Sequence, residues 1–127
     1  MRIEHIAMWV RDLEKAKEFY QKYFHMKSGP RYENPDKNFT SYFLYFDSGS
    51  RLELMHRPDI QDAGDQSRCF GFTHMAFSVG NKEEVDHLTE RLRTDGYIIY
   101  GEPRTTGDGY YESVVLDTEG NSIEITE

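Results

Sequence analysis

At 127 residues the chain is the size of one domain, or of two very small modules joined together. Its net charge of −8, with no run of Lys and Arg to reverse the sign locally, argues against nucleic-acid binding. One cysteine, Cys69, excludes an internal disulfide, and no apolar run is long enough to span a bilayer or act as a signal peptide; a soluble cytoplasmic protein is expected.

The chain opens with an alternating strand in which Ile6, Met8 and Val10 share one face and His5, Ala7 and Trp9 the other. A helix follows: Leu13, Ala16, Phe19, Tyr20, Tyr23 and Phe24 recur at helical spacing, with Asp12 as its N-cap. Turn residues at Gly29-Pro30, Asn34-Pro35-Asp36 and Asp47-Ser48-Gly49 then divide a run of strands. The last of these strands places Glu53 between Leu52 and Leu54. Residues 58–71, with Pro58, Asp59, Asp62, Gly64 and Asp65, read as a linker between a module at 1–57 and a module at 72–127.

The second module repeats the first. A strand with His74, Ala76 and Ser78 opposite Met75, Phe77 and Val79 leads to a helix with the stripe Val85, Leu88 and Leu92. Asn81 and Glu84 form a capping box, and Gly96 stands where a C′ glycine is wanted. Turns at Gly107-Asp108-Gly109 and Glu119-Gly120-Asn121 precede a closing strand in which Ile123 and Ile125 flank Glu124. The spacing repeats as well: 48 residues separate His5 from Glu53 and 50 separate His74 from Glu124. Each half is thus expected to be a β-α-β-β-β module of an α+β fold, the two together forming a curved sheet around a cleft.

The apolar face of each strand belongs under its helix, which leaves His5, Glu53, His74 and Glu124 on the opposite face. Any one of these side chains alone is ordinarily structural or solvated. The doubled pattern predicts that all four converge on one divalent ion; carboxylates among branched apolar residues need a charge partner or a metal on a buried face, and neither on an exposed one. Two imidazoles and two carboxylates suit Ni²⁺, Zn²⁺, Co²⁺ or Mn²⁺, and spacing does not choose among them. His25 and His87 fit solvated helix positions, and His56 stands where it could border the cleft. Cys69 has no His placed to activate it. The run Gly107-Asp108-Gly109-Tyr110-Tyr111 reads equally as a lip over the cleft or as a plain hairpin turn.

These residues resemble the vicinal-oxygen-chelate superfamily, and within it the glyoxalase I enzymes, across essentially the whole chain. The resemblance is carried by the His5 strand, the helix ending KEFYQKYFHMK, the LEL strand with Glu53, THMAFSV with His74, and LDTEGNSIEI with Glu124. It implies a metal held by His5, Glu53, His74 and Glu124, and a hemithioacetal or other α-oxo substrate isomerised through a metal-stabilised ene-diolate. It also implies Glu124 as the proton-transferring base, with Glu53 as its counterpart on the other side of the substrate. A small-molecule substrate and a homodimer are expected, since small members often build each site across two subunits. The pattern departs at Trp9, where glutathione-using relatives carry an Arg, and at Arg57, where they tend to carry an Asn. Trp9 on the His5 face is therefore expected to wall the substrate pocket, with Arg57 and with Arg104, placed in a turn beside Pro103, as further pocket candidates. A superfamily epimerase or lyase acting on another acyl group, or a ligand- or antibiotic-binding protein of the same fold, are the competing readings.

Overall fold

The computed structural model describes residues 1–61 and 70–127. The chain divides into two compact units, residues 1–64 and 65–127. Cys69, Asp62, Gly64 and Asp65 lie outside the described residues. The class is α+β, with one open sheet and one long helix in each unit. Among the described residues no helix is long and apolar enough to cross a membrane.

The first unit runs β1 (His5–Trp9), α1 (Leu13–Phe24), β2 (Lys27–Ser28), β3 (Tyr32–Asn34), a 3₁₀ turn (Pro35–Lys37), β4 (Phe39–Tyr45) and β5 (Arg51–His56). Asp12 starts α1 by accepting the Lys15 N–H at 3.0 Å, and His25 ends it in a left-handed conformation at φ 56°. The six residues of the predicted stripe, Leu13 to Phe24, are all buried. They cover Tyr42 and Leu44 of β4 and Leu52 and Leu54 of β5, which are buried as well. Each leucine or phenylalanine among them, taken from water, stabilises by roughly 1.5–3 kcal/mol. Tyr42 also donates its hydroxyl to Glu14 at 2.8 Å, tying α1 to β4. The sheet order is β1-β5-β4-β2, with β1 parallel to β5, and β3 also pairs with β4. This unit holds one strand more than the expected βαβββ. The break at Gly29-Pro30 divides the segment after the helix into two short pieces, both laid against β4.

The second unit runs β6 (His74–Ser78), α2 (Lys82–Thr94), β7 (Ile99–Thr105), β8 (Tyr111–Leu116) and β9 (Ser122–Thr126), in sheet order β6-β9-β8-β7 with β6 parallel to β9. Asn81 caps α2 by accepting the Glu84 N–H at 2.9 Å. Gly96, at φ 88°, closes it: its N–H reaches the Arg93 carbonyl and the Tyr97 N–H reaches the Leu92 carbonyl, both at 3.0 Å. That pair of bonds is a Schellman motif. The buried stripe is Val85, Thr89 and Leu92, against Val115, Ile123 and Ile125. Thr89 displaces Leu88 from the stripe because its hydroxyl is satisfied, bonding the Val85 carbonyl and the Ser113 hydroxyl at 2.6 Å each.

Candidate metal centre

Strand order and register decide what faces what. In the first sheet β1 lies beside β5 with His5 opposite Arg51 and Ala7 opposite Glu53. In the second, β6 lies beside β9 with His74 opposite Ser122 and Ala76 opposite Glu124. The histidine is therefore diagonal to the glutamate in both sheets, two residues out of register and on one face. Burial alternates accordingly: His5, Ala7 and Trp9 are exposed, as are His74, Ala76 and Ser78, while the leucines and isoleucines flanking the two glutamates are buried.

The resulting pairs are close. His5 Nε2 stands 3.9 Å from Glu53 Oε2, and His74 Nε2 stands 3.5 Å from Glu124 Oε2. Both carboxylates are mostly covered, at 15% and 17% side-chain exposure, whereas the imidazoles are 40% and 45% exposed. Two donors on one ion with bonds of about 2.1 Å can stand no more than roughly 4.2 Å apart, so each pair fits two places on a divalent ion. The donor chemistry, one imidazole and one carboxylate per pair, suits the same set of ions. Among the described residues no three His, Cys, Asp or Glu side chains gather as a metal cluster; each unit presents its own two donors.

The surroundings of the two pairs differ. His5 Nδ1 lies 2.5 Å from Glu4 Oε2, and Glu4 Oε1 in turn accepts Arg51 Nε at 2.7 Å and Nη2 at 2.5 Å. The Arg51 guanidinium stacks 4.0 Å from the Phe43 ring, and Phe43 meets the His5 ring edge-on at 5.4 Å. The hydrogen bond with His5, followed by Arg51, holds the Glu4 carboxyl below its ordinary range. In the second unit the residue before the histidine is Thr73, whose hydroxyl lies 3.1 Å from His74 Nδ1.

Beside Glu124 lies a carboxylate that strand alternation in single segments does not reveal. Glu112 on β8 is opposite Thr126, diagonal to Glu124 and 8% exposed. Burial pushes its carboxyl up from the ordinary value, and the neighbouring Glu124 charge pushes the same way, against the pull of Arg104. The signal lay in the turn. Asp117 takes the N–H groups of Glu119 at 2.9 Å and Asn121 at 2.8 Å, which fixes the β8–β9 register and with it the place of Glu112.

The remaining candidates divide. Trp9 is 40% exposed on the His5 face and packs edge-on against Phe39 at 6.1 Å, which in turn meets Tyr32 at 6.0 Å. Arg57 lies 5.9 Å from the Trp9 ring and is gripped by Asp59 through two bonds of 2.9 and 2.5 Å. It borders a shallow recess shared with Asp36, Lys37, Asn38, Pro58 and Asp59. Arg104 is not in a turn. It sits on β7, an edge strand that tolerates Pro103, and reaches Glu112 at 3.3 Å across space that Gly101 leaves free. His56 falls on the helix-side face, one residue out of phase with Glu53 and Met55, where its Nδ1 lies 3.0 Å from the Val10 carbonyl. His25 and His87 are exposed. Residues 106–110 form a hairpin turn, with the Thr106 N–H on the Tyr110 carbonyl at 2.8 Å and Gly109 at φ 97°.

Residues 2–125 match the Glyoxalase/Bleomycin resistance protein/Dioxygenase superfamily. A lactoylglutathione lyase of Arabidopsis thaliana is 29% identical, covering 98% of this chain and 43% of that protein. The protein YqjT of Bacillus subtilis is 25% identical, covering 97% of this chain and 96% of its own length. Glyoxalase I from Zea mays superposes with a TM-score of 0.80 at 26% identity, covering 98% of this chain and 44% of that one. The chain thus spans under half the length of the two plant proteins. With a match over nearly its whole length, the chain belongs to the Glyoxalase/Bleomycin resistance protein/Dioxygenase superfamily.

Proposed function

We propose that this protein is a metal-dependent, glyoxalase I-like enzyme that isomerises a hemithioacetal or related α-oxo substrate by proton transfer. The observation that carries the reading is the pair of His–Glu diagonals in identical register, 3.9 and 3.5 Å across. His5, Glu53, His74 and Glu124 hold one divalent ion, Ni²⁺, Zn²⁺, Co²⁺ or Mn²⁺, drawn from the two halves of one chain or of two copies in a homodimer. Such an ion supplies Lewis-acid stabilisation of negative charge developing on a substrate oxygen. Glu124 takes the proton from the carbon beside the carbonyl and returns it to the neighbouring carbon through its carboxylate oxygen. Glu112 crowds a second carboxylate against it, and Arg104 holds Glu112 in place. Glu53 stands at the equivalent place in the other sheet. Trp9 and Phe39 offer an aromatic wall where glutathione-using relatives carry a charge, which favours a substrate with an apolar or planar part over glutathione itself. A superfamily epimerase acting by the same proton transfer on another acyl group is the second reading, favoured by the same aromatic wall.

The test is turnover by metal-stripped protein given Ni²⁺ or Zn²⁺ with methylglyoxal and glutathione, then with other thiols. The proposal expects metal-dependent turnover with at least one thiol, and its loss in Glu124→Gln with the circular-dichroism spectrum retained. Full activity of that variant contradicts the assignment of the base. Tight metal binding without turnover on any thiol favours the epimerase.

A further inference from the structure

We infer that Glu4 is a positioning residue that sets which nitrogen of His5 faces Glu53; the inference rests on the metal-binding reading above. A neutral imidazole offers a lone pair from one nitrogen only while the other carries the proton, and the partner of that second nitrogen decides the choice. Glu4 Oε2, 2.5 Å from Nδ1, accepts only, so the proton stays on Nδ1 and the Nε2 lone pair is turned toward Glu53.

What distinguishes this contact from a chance surface pair is how Glu4 is held. It directly precedes β1, and its side chain bends back to the ring of its neighbour. Its carbonyl accepts the Arg51 N–H at 3.0 Å, and the Ser50 hydroxyl donates to the Ile3 carbonyl at 2.7 Å, which fixes the approach to the strand. Arg51 binds Oε1 with two nitrogens, leaving Oε2 for the imidazole, and Arg51 itself rests on Phe43. Glu4, His5, Phe43 and Arg51 thus close a ring of contacts around the imidazole. Among the described residues the second half has no such ring: Ser122 stands where Arg51 does and Val114 where Phe43 does. The Thr73 hydroxyl at His74 Nδ1 can donate as readily as accept, so it leaves the His74 tautomer open. The two halves therefore bring unequal histidines to the ion, one fixed beforehand and one free to choose.

The experiment is Ni²⁺ titration of metal-stripped protein against a competing chelator, together with ¹⁵N NMR of the histidine rings in the metal-free state. It compares the wild type with Glu4→Ala, Glu4→Gln, Thr73→Ala and His5→Ala. Glu4→Ala is expected to weaken Ni²⁺ binding by about ten- to a hundredfold and to give mixed tautomers at His5. In Glu4→Gln the amide oxygen still accepts, so affinity and the Nδ1–H tautomer should return close to wild type, and Thr73→Ala should change little. Wild-type affinity and tautomer in Glu4→Ala, while His5→Ala loses the ion, overturns the role of Glu4 alone. Equal weakening in Glu4→Ala and Glu4→Gln also overturns it, because charge rather than tautomer would then be responsible. Undiminished binding by His5→Ala overturns the metal reading beneath it.

Discussion

Glu112 is the residue whose behaviour most directly reports the electrostatics beside Glu124. Its carboxyl is raised above its ordinary value of 4.5 by burial first and by Glu124 second. A carboxyl raised in the folded state binds its proton more tightly there than in the unfolded chain. Ionising it therefore costs stability as pH climbs through the raised value, and below 4.5, where both states are protonated, the cost is absent. In the metal-free protein Glu112→Gln should thus melt higher than wild type at neutral pH, with the advantage shrinking as the pH falls through the raised value and gone below 4.5. Thermal melts of both proteins across that range check it. A variant less stable by the same amount at every pH would mean that Glu112 serves only as an anchor for Arg104. The neighbouring Arg104 shows the limit of reading single positions: beside Pro103 it looks like a turn residue, yet an edge strand accommodates a proline that donates nothing to the ladder.

At the scale of elements, both helices are bounded by specific caps rather than by propensity alone, a side chain at each start and a left-handed backbone at each end. Asn81→Ala removes the acceptor for the Glu84 N–H and should cost about 1 kcal/mol in urea denaturation. Gly96→Ala forces a side chain into a left-handed position, at φ 88°, with a cost of about 1 kcal/mol. A loss of less than a few tenths from either would mean that packing alone fixes the end of α2. These caps, the α1 stripe and the two His and Glu strands were legible in the sequence because each depends on local period or on a short-range bond. Thr89 was not, since its place in the buried stripe depends on Ser113, 24 residues away. Nor was the extra strand of the first unit, whose two short pieces are defined by a shared neighbour in β4 and not by their own pattern. Glu112 belongs to the same class: only the register set by the Asp117 turn brings it to Glu124.

For the whole molecule, the central claim is that the two His–Glu pairs, made alike by repetition, serve one ion between them. Each pair alone offers two donors, fewer than the four protein ligands usual in a closed Zn²⁺ site and the three in an open one. Metal content therefore distinguishes shared from separate sites. The measurement is Ni²⁺ bound per chain at saturation in the wild type, His5→Ala and His74→Ala, read by elemental analysis after removal of free ion. The account predicts one ion per chain in the wild type and near-complete loss in either variant, because each removes a ligand from the same ion. Two ions per chain in the wild type, with one retained in each variant, would contradict it.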